Sequence, residues 1–260
     1  MTAMVEVSQV AKRFDRPGAS FTALQDINFK VEEGEFVSLV GSSGCGKSTM
    51  LNIIAGLIKP DQGQVMIRGV AVKGVDRSVG YTFQQSTLLP WRTVRANVEL
   101  GLELRGVDQT ERSRVALDLI EQVGLTGFGD AYPHQLSGGM VKRAEIIRVL
   151  AIDPQLLLMD EPFGALDAQT KIHMQNLLLD LLQRVRKTVI FITHDLDEAV
   201  VLSDRIITMR ARPGRVIREH TIRLKRPRDS RLARLDPDFI SCLKPVWDDI
   251  EPMTAVHDAH

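Results

Sequence analysis

The residues best placed for chemistry lie between Gly41 and Thr49, where the chain reads Gly41-Ser42-Ser43-Gly44-Cys45-Gly46-Lys47-Ser48-Thr49. The spacing fits G-x-x-x-x-G-K-[ST]. Glycines let the backbone wrap an anion and turn several N–H groups inward. A helix opening at this point adds the positive end of its dipole. Lys47 supplies a point charge for the β- and γ-phosphates of a nucleotide, and Ser48 a hydroxyl for Mg2+. A glycine-rich turn without a ligand is the bland alternative. It fits less well, because an apolar run, Phe36-Val37-Ser38-Leu39-Val40, precedes the loop and a helical pattern (Leu51, Ile54, Ala55, Ile58) follows it.

Asp160 and Glu161 form a second candidate. They end the apolar run Leu156-Leu157-Leu158-Met159, so a carboxylate lies at the C-terminal end of a buried strand. There Asp160 suits a cation, and Glu161 suits a base for an attacking water. Taken alone, a helix N-cap with a first-turn acid explains the pair equally well. His194 follows another apolar run, Thr188-Val189-Ile190-Phe191-Ile192, and belongs at the same sheet edge. Ser137-Gly138-Gly139 opens a helix with Ser137 as N-cap; its residues alone indicate a capped helix and nothing more.

These residues need a scaffold. Apolar runs separated by helical stretches indicate an α/β domain with a parallel sheet. The first third reads as short strands, Val5–Val7 and Ile27–Val31, and the helix after the loop is expected to stop at Lys59-Pro60-Asp61. About 91–151 reads as a mostly helical insertion, with helices near 111–123 and 138–151, and 169–186 as a long helix. The expected division is one domain over 1–260: a core at about 4–90 and 152–235, the helical part between, and a tail over 236–260.

Composition bounds the function. The 260 residues are 44% hydrophobic and 25% charged, ordinary globular usage. No run is long and apolar enough to span a bilayer, and the N-terminus shows no secretory pattern. Cys45 and Cys242 suggest neither a disulfide framework nor a zinc site. Net charge is zero, 33 basic against 33 acidic, which argues against a nucleic-acid partner held by overall charge. Basic residues nonetheless crowd 210–234, read as a solvated strand and loop, or as a contact for anionic lipid or for the acidic tail of a neighbour.

The ordered set of motifs resembles the nucleotide-binding subunit of ATP-binding-cassette (ABC) transporters over residues 4 to about 250. The motifs are Gly41–Thr49, Leu136-Ser137-Gly138-Gly139, Asp160-Glu161, Ala165-Leu166-Asp167 and His194. The resemblance implies a P-loop NTPase fold with a RecA-like parallel core, an N-terminal antiparallel β subdomain and a helical signature-motif subdomain. It implies ATP and Mg2+ as ligands, held through Gly41, Ser42, Ser43, Gly44, Cys45, Gly46, Lys47, Ser48 and Thr49, with Phe14 stacking on adenine. Gln84 resembles the Q-loop glutamine, a metal or water contact that senses the membrane partner. Ser48, Gln84 and Asp160 are the implied metal residues, and Glu161, His194 and Gln84 the catalytic ones. Ser137, Gly138 and Gly139 are implied to close on the ATP of a second cassette. Alkylation of Cys45 is then expected to block nucleotide binding.

Leu88-Leu89-Pro90-Trp91-Arg92-Thr93-Val94, Phe163 to Thr170 and Thr193 to Ala199 resemble importers of nitrate, sulfonates and taurine. That implies two permease subunits docking on Gln84–Arg92, with Trp91 and Leu88 as candidate anchors. It also implies an external solute-binding protein and a cytoplasmic, peripheral location. A soluble ABC ATPase acting on nucleic acid or ribosomes, and a low-turnover nucleotide scaffold, are the alternatives. The scaffold reading is prompted by a departure: the family usually reads Arg-Gln-Arg after the signature, where this chain has Val141-Lys142-Arg143, and Glu145 takes the place of a small residue. Lys142 and Glu145 stand three apart on a helix and are expected to pair.

Overall fold

A computed structural model describes residues 3–16, 19–185 and 187–254. A six-stranded sheet lies at its centre. Its strands are β3 (Phe36–Gly41), β6 (Val79–Thr82), β7 (Leu156–Asp160), β8 (Thr188–Ile192), β9 (Arg205–Arg210) and β10 (Arg215–Thr221), in the order β10-β9-β3-β8-β7-β6. All but β10 run parallel. Every residue of β3, β7 and β8 is buried, which is why they read as unbroken apolar runs rather than as alternating ones.

Alternate side chains of these strands enter two different apolar clusters. Val37, Leu39, Ile190 and Ile192 pack with α1 (Lys47–Ile54) and with a second, antiparallel sheet, β2-β1-β4-β5. That sheet consists of β1 (Ala3–Arg16), β2 (Ala19–Glu32), β4 (Gln62–Ile67) and β5 (Val70–Ala71). Phe36, Val40, Val189 and Phe191 face the other way, toward α5 (Ala168–Val185) and α6 (Leu196–Leu202). Three further helices occupy the middle of the chain: α2 (Val94–Leu104), α3 (Gln109–Gln122) and α4 (Gly138–Leu150). Each starts on a side-chain cap, from Thr93, Asp108 and Ser137 respectively, which satisfies backbone donors that would otherwise be orphaned.

Several elements depart from the sequence reading. The first two strands are far longer than Val5–Val7 and Ile27–Val31. Register shifts near the left-handed residues Gln9 and Asp26 break their alternation, so periodicity shows only fragments. Helix α1 stops at Ile54, four residues before the last expected position. Gly56 there turns with φ 73°, and a Cβ on it would stand 2.0 Å from the Gly74 carbonyl oxygen. Residues 236–254 are not a tail: α7 (Pro237–Thr254) buries Phe239 and Val246 against the core, while 255–260 lie outside the described residues.

The basic stretch is anchored rather than simply solvated. Arg226 bonds Asp204, and Arg228 donates to the carbonyls of Val201, Ser203 and Leu224. Burial, with Arg226 alongside, pushes the Arg228 guanidinium down to about 10. Arg218 pairs with Asp249, and Arg234 donates to Ser230 and Gln175. At least four cations of this stretch are thus engaged by the protein's own groups, which leaves fewer for a lipid surface.

Candidate functional site

Because β3, β6, β7 and β8 are parallel, their C-terminal ends share one edge of the sheet, where open α/β sheets place their ligands. Gly41 ends β3, Asp160 ends β7, Thr193-His194 follows β8, and Phe83-Gln84 follows β6. A cleft of about 470 Å3 opens at that edge. Ser43 to Thr49, Gln84, Glu161 and His194 line it, together with Phe21 and Ala23 from β2.

The loop's shape depends on two glycines. Gly44 and Gly46 have φ of 76° and 93°, the left-handed region. A Cβ on Gly46 would also stand 2.5 Å from the Leu24 side chain. Lys47 is buried, and its ammonium donates to the carbonyl oxygens of Gly41 at 2.8 Å and Ser42 at 3.2 Å. A cation is thus fixed at the mouth of α1, whose free N–H groups and dipole add to the same positive field.

Asp160 is buried and accepts a hydrogen bond from Ser48. Burial, reinforced by the neighbouring Glu161 charge, pushes its carboxyl above the usual carboxylate range despite that bond and Lys47. A desolvated carboxylate beside a hydroxyl is a pair of hard oxygen donors short of positive charge, and it fits Mg2+.

Glu161 sits in the left-handed region with φ 44°, unusual and strained for a glutamate. The backbone is held there from both sides. Its N–H bonds the Ile192 carbonyl at 3.0 Å, and its own carbonyl accepts from Gly164 N–H at 3.2 Å. The result turns the carboxylate into the cleft. One oxygen, Oε2, accepts from Gln84 Nε2 at 3.2 Å and lies 3.3 Å from His194 Nδ1. Three residues read separately from the sequence thus meet on a single oxygen.

Ser137, Gly138 and Gly139 do not line this cleft. Ser137 Oγ accepts from Met140 N–H, as a cap should. Gly139 packs against α5, and a Cβ there would come within 2.8 Å of the Thr170 methyl. Phe14 is not on the cleft either. It pairs with Phe21 across β1 and β2, the rings stacked with centroids 5.6 Å apart, and Phe21 is the ring on the cleft. Sequence reasoning missed Phe21, whose only signal is its place in a hairpin register. Pro17 and Gly18, between the two rings in sequence, lie outside the described residues.

Cys45 is fully buried, with its sulfur 3.7 Å from Lys47 Nζ, and burial pushes its thiol upward although Lys47 opposes this. The expected block by alkylation therefore meets an inert thiol. Iodoacetamide at pH 8 should modify the partly exposed Cys242 well before Cys45. Mass spectrometry of the labelled peptides checks the order, and prompt labelling of Cys45 would show a more open loop.

Lys142 and Glu145 do pair, at 2.9 Å, and both are buried. Leu88 is buried in the chain's own core, so only Trp91 of the two candidate anchors is exposed. The loop that presents Trp91 is held by Asn97, which is buried and bonds the backbone of Leu89, Arg92 and Thr93. Among the described residues, no helix is long and apolar enough to cross a membrane.

Comparison with known proteins agrees with this geometry. The ABC transporter family profile matches residues 24–164. An uncharacterised ABC transporter ATP-binding protein, MJ0412 of Methanocaldococcus jannaschii, is 52% identical over 88% of this chain and 86% of its own length. The nitrate import ATP-binding protein NrtD of Synechocystis sp. is 47% identical over 85% and 83% of the two chains. The aliphatic sulfonates import ATP-binding protein SsuB of Bacillus cereus is 42% identical over 86% and 88%. Among solved structures, the dimeric post-hydrolysis state of the ATP-binding cassette MJ0796, bound to ADP and Pi, superposes with a TM-score of 0.76 at 37% identity. That match covers 85% of this chain and all of the other. This chain therefore belongs to the ABC transporter family, as an ATP-hydrolysing, ATP-binding subunit of the importer type.

Proposed function

We propose that this chain powers the import of a small anion such as nitrate, an alkanesulfonate or taurine. It would work as one of two cassettes beneath two permease subunits on the cytoplasmic face of the membrane. The observation that carries the catalytic part is the convergence of Lys47, Ser48, Gln84, Glu161 and His194 on one cleft, with Asp160 buried behind Ser48. The solute class rests on the nitrate and sulfonate relatives.

In this reading the inward N–H groups of Gly41–Thr49 and the Lys47 ammonium hold the β- and γ-phosphates, and the base stacks on the Phe21 ring that Phe14 backs. Ser48 and Asp160, with Gln84 nearby, are the residues to hold Mg2+, which supplies charge neutralisation on the phosphates when bound. Glu161 takes a proton from a water. That water's oxygen bonds the γ-phosphorus as the bond to the β-phosphate oxygen breaks, giving ADP and phosphate. Gln84 and His194 fix the Glu161 oxygen and face the γ-phosphate. Ser137, Gly138 and Gly139 stand away from their own chain's cleft, as residues that complete a partner cassette's site should. Two ATP molecules then stabilise the closed dimer through contacts absent from the open one. Residues of about 91–151 form the helical subdomain that carries this surface and Trp91.

A tagged pull-down from detergent-solubilised native membranes tests the proposal. It should recover a polytopic membrane protein with a solute-binding protein, and ligand screening on the latter should give a small anion. Trp91→Ala should lower permease recovery at least about tenfold while ATP binding persists, as expected of an exposed aromatic anchor. Recovery of ribosomes or soluble partners alone would overturn the importer reading.

A further inference from the structure

Helix α4 starts with the signature residues and then runs beneath the segment that follows Gln84. Three of its side chains, at positions 142, 145 and 148, form one row and grip that segment. Lys142 Nζ donates to the Gln84 carbonyl at 3.3 Å. Glu145 Oε2 holds Lys142 at 2.9 Å, while its Oε1 accepts the Thr87 N–H at 2.8 Å. The Arg148 guanidinium donates to the Thr87 carbonyl and hydroxyl. Lys142 and Glu145 are 8% and 2% exposed, so the ion pair is desolvated and neither charge has water to fall back on.

We propose that Lys142 and Glu145 are positioning residues for hydrolysis: their ion pair locks the Gln84 backbone to the signature helix and so holds the Gln84 carboxamide on Glu161. The charged pair stands at the two positions where the resemblance implies glutamine and a small residue. Both side chains turn toward their own chain's Gln84–Thr87 segment. Helix α4 thereby carries the signature at one end and the geometry of Gln84 along its side. The inference rests on reading Glu161 as the base.

The test is a mutational cycle on the purified full-length chain, reading kcat and KM for ATP. Lys142→Met with Glu145→Gln removes the ammonium without stranding a carboxylate, and the carboxamide oxygen introduced by Glu145→Gln can still accept from the Thr87 N–H. That pair of changes should lower kcat about tenfold and leave KM within twofold. In a Gln84→Ala background the same changes should have no further effect, because the lock acts through Gln84. Lys142→Arg alone, which keeps a cation against Glu145, should retain most of the rate. If the double variant does not fold, Lys142→Gln is read through the same cycle. A wild-type kcat, a rise in KM alone, or an equal loss in the Gln84→Ala background would each overturn the proposal. Glu161→Gln separates the two failures. Wild-type turnover by that variant overturns the assigned base, whereas its loss beside an active double variant overturns only the lock.

Discussion

Glu161→Gln is expected to lower ATP turnover by about two to four orders of magnitude, the range that loss of a positioned general base gives. The substitution is nearly isosteric. It keeps an oxygen that can accept from Gln84 Nε2, and the backbone bonds to Ile192 and Gly164 do not involve the side chain. What changes is the capacity to take a proton from water. Binding should therefore survive and hydrolysis fail, and under the proposed cycle an ATP-bound dimer should accumulate. Steady-state phosphate release measures the rate, and light scattering on a sizing column with Mg·ATP measures the dimer. Turnover at the parental rate would show that Glu161 is not the base, whatever its geometry.

Lys47→Ala should weaken ATP binding about a hundredfold. A charge-assisted hydrogen bond contributes about 1.5–3 kcal/mol, and about 1.4 kcal/mol is a factor of ten in affinity. The buried ammonium now bonds two carbonyls of its own loop, so its loss removes both the phosphate contact and a restraint on loop shape. Titration with a fluorescent ATP analogue reads the affinity, and thermal unfolding confirms that the variant folds. Affinity within twofold of wild type would mean that the backbone N–H groups alone hold the phosphates.

The two predictions rest on parts of the molecule that were unequally legible in the sequence. The loop Gly41–Thr49 was readable because all of its chemistry is local: nine consecutive residues specify the turn, the cation and the hydroxyl. Asp160 and His194 were placed by one rule, that parallel strands deliver their C-terminal ends to one edge. The meeting of His194 with Gln84 on the Glu161 oxygen was not readable. It depends on a left-handed glutamate backbone, which no residue pattern announces. Phe21 reaches the cleft only through the register Phe14↔Phe21, a pairing across a hairpin whose alternation is broken by shifts. Helix α7 was hidden by its composition. It carries Pro245 in its interior, which argues against a helix, together with several acids. One of them, Asp249, is in fact drawn inward to pair with His220 and Thr208.

Lys142 shows the opposite limit. Its pairing with Glu145 followed from helical spacing, and the structure contains it. Its direction did not follow. A three-residue spacing fixes which side chains are neighbours on a helix, not which neighbouring element the helix buries them against. Only the packing of α4 under the Gln84–Thr87 segment turns a surface-type pair into a buried one.

The central claim is that hydrolysis at this cleft drives anion import. The most direct measurement is uptake into sealed vesicles that contain the co-purified permease and solute-binding protein, with ATP supplied on the cassette side. Labelled nitrate, taurine or an alkanesulfonate should enter only with Mg·ATP, the loaded binding protein should raise the ATPase rate, and Glu161→Gln should abolish both. Uptake that persists without ATP, or an ATPase rate indifferent to every loaded anion, would contradict the account.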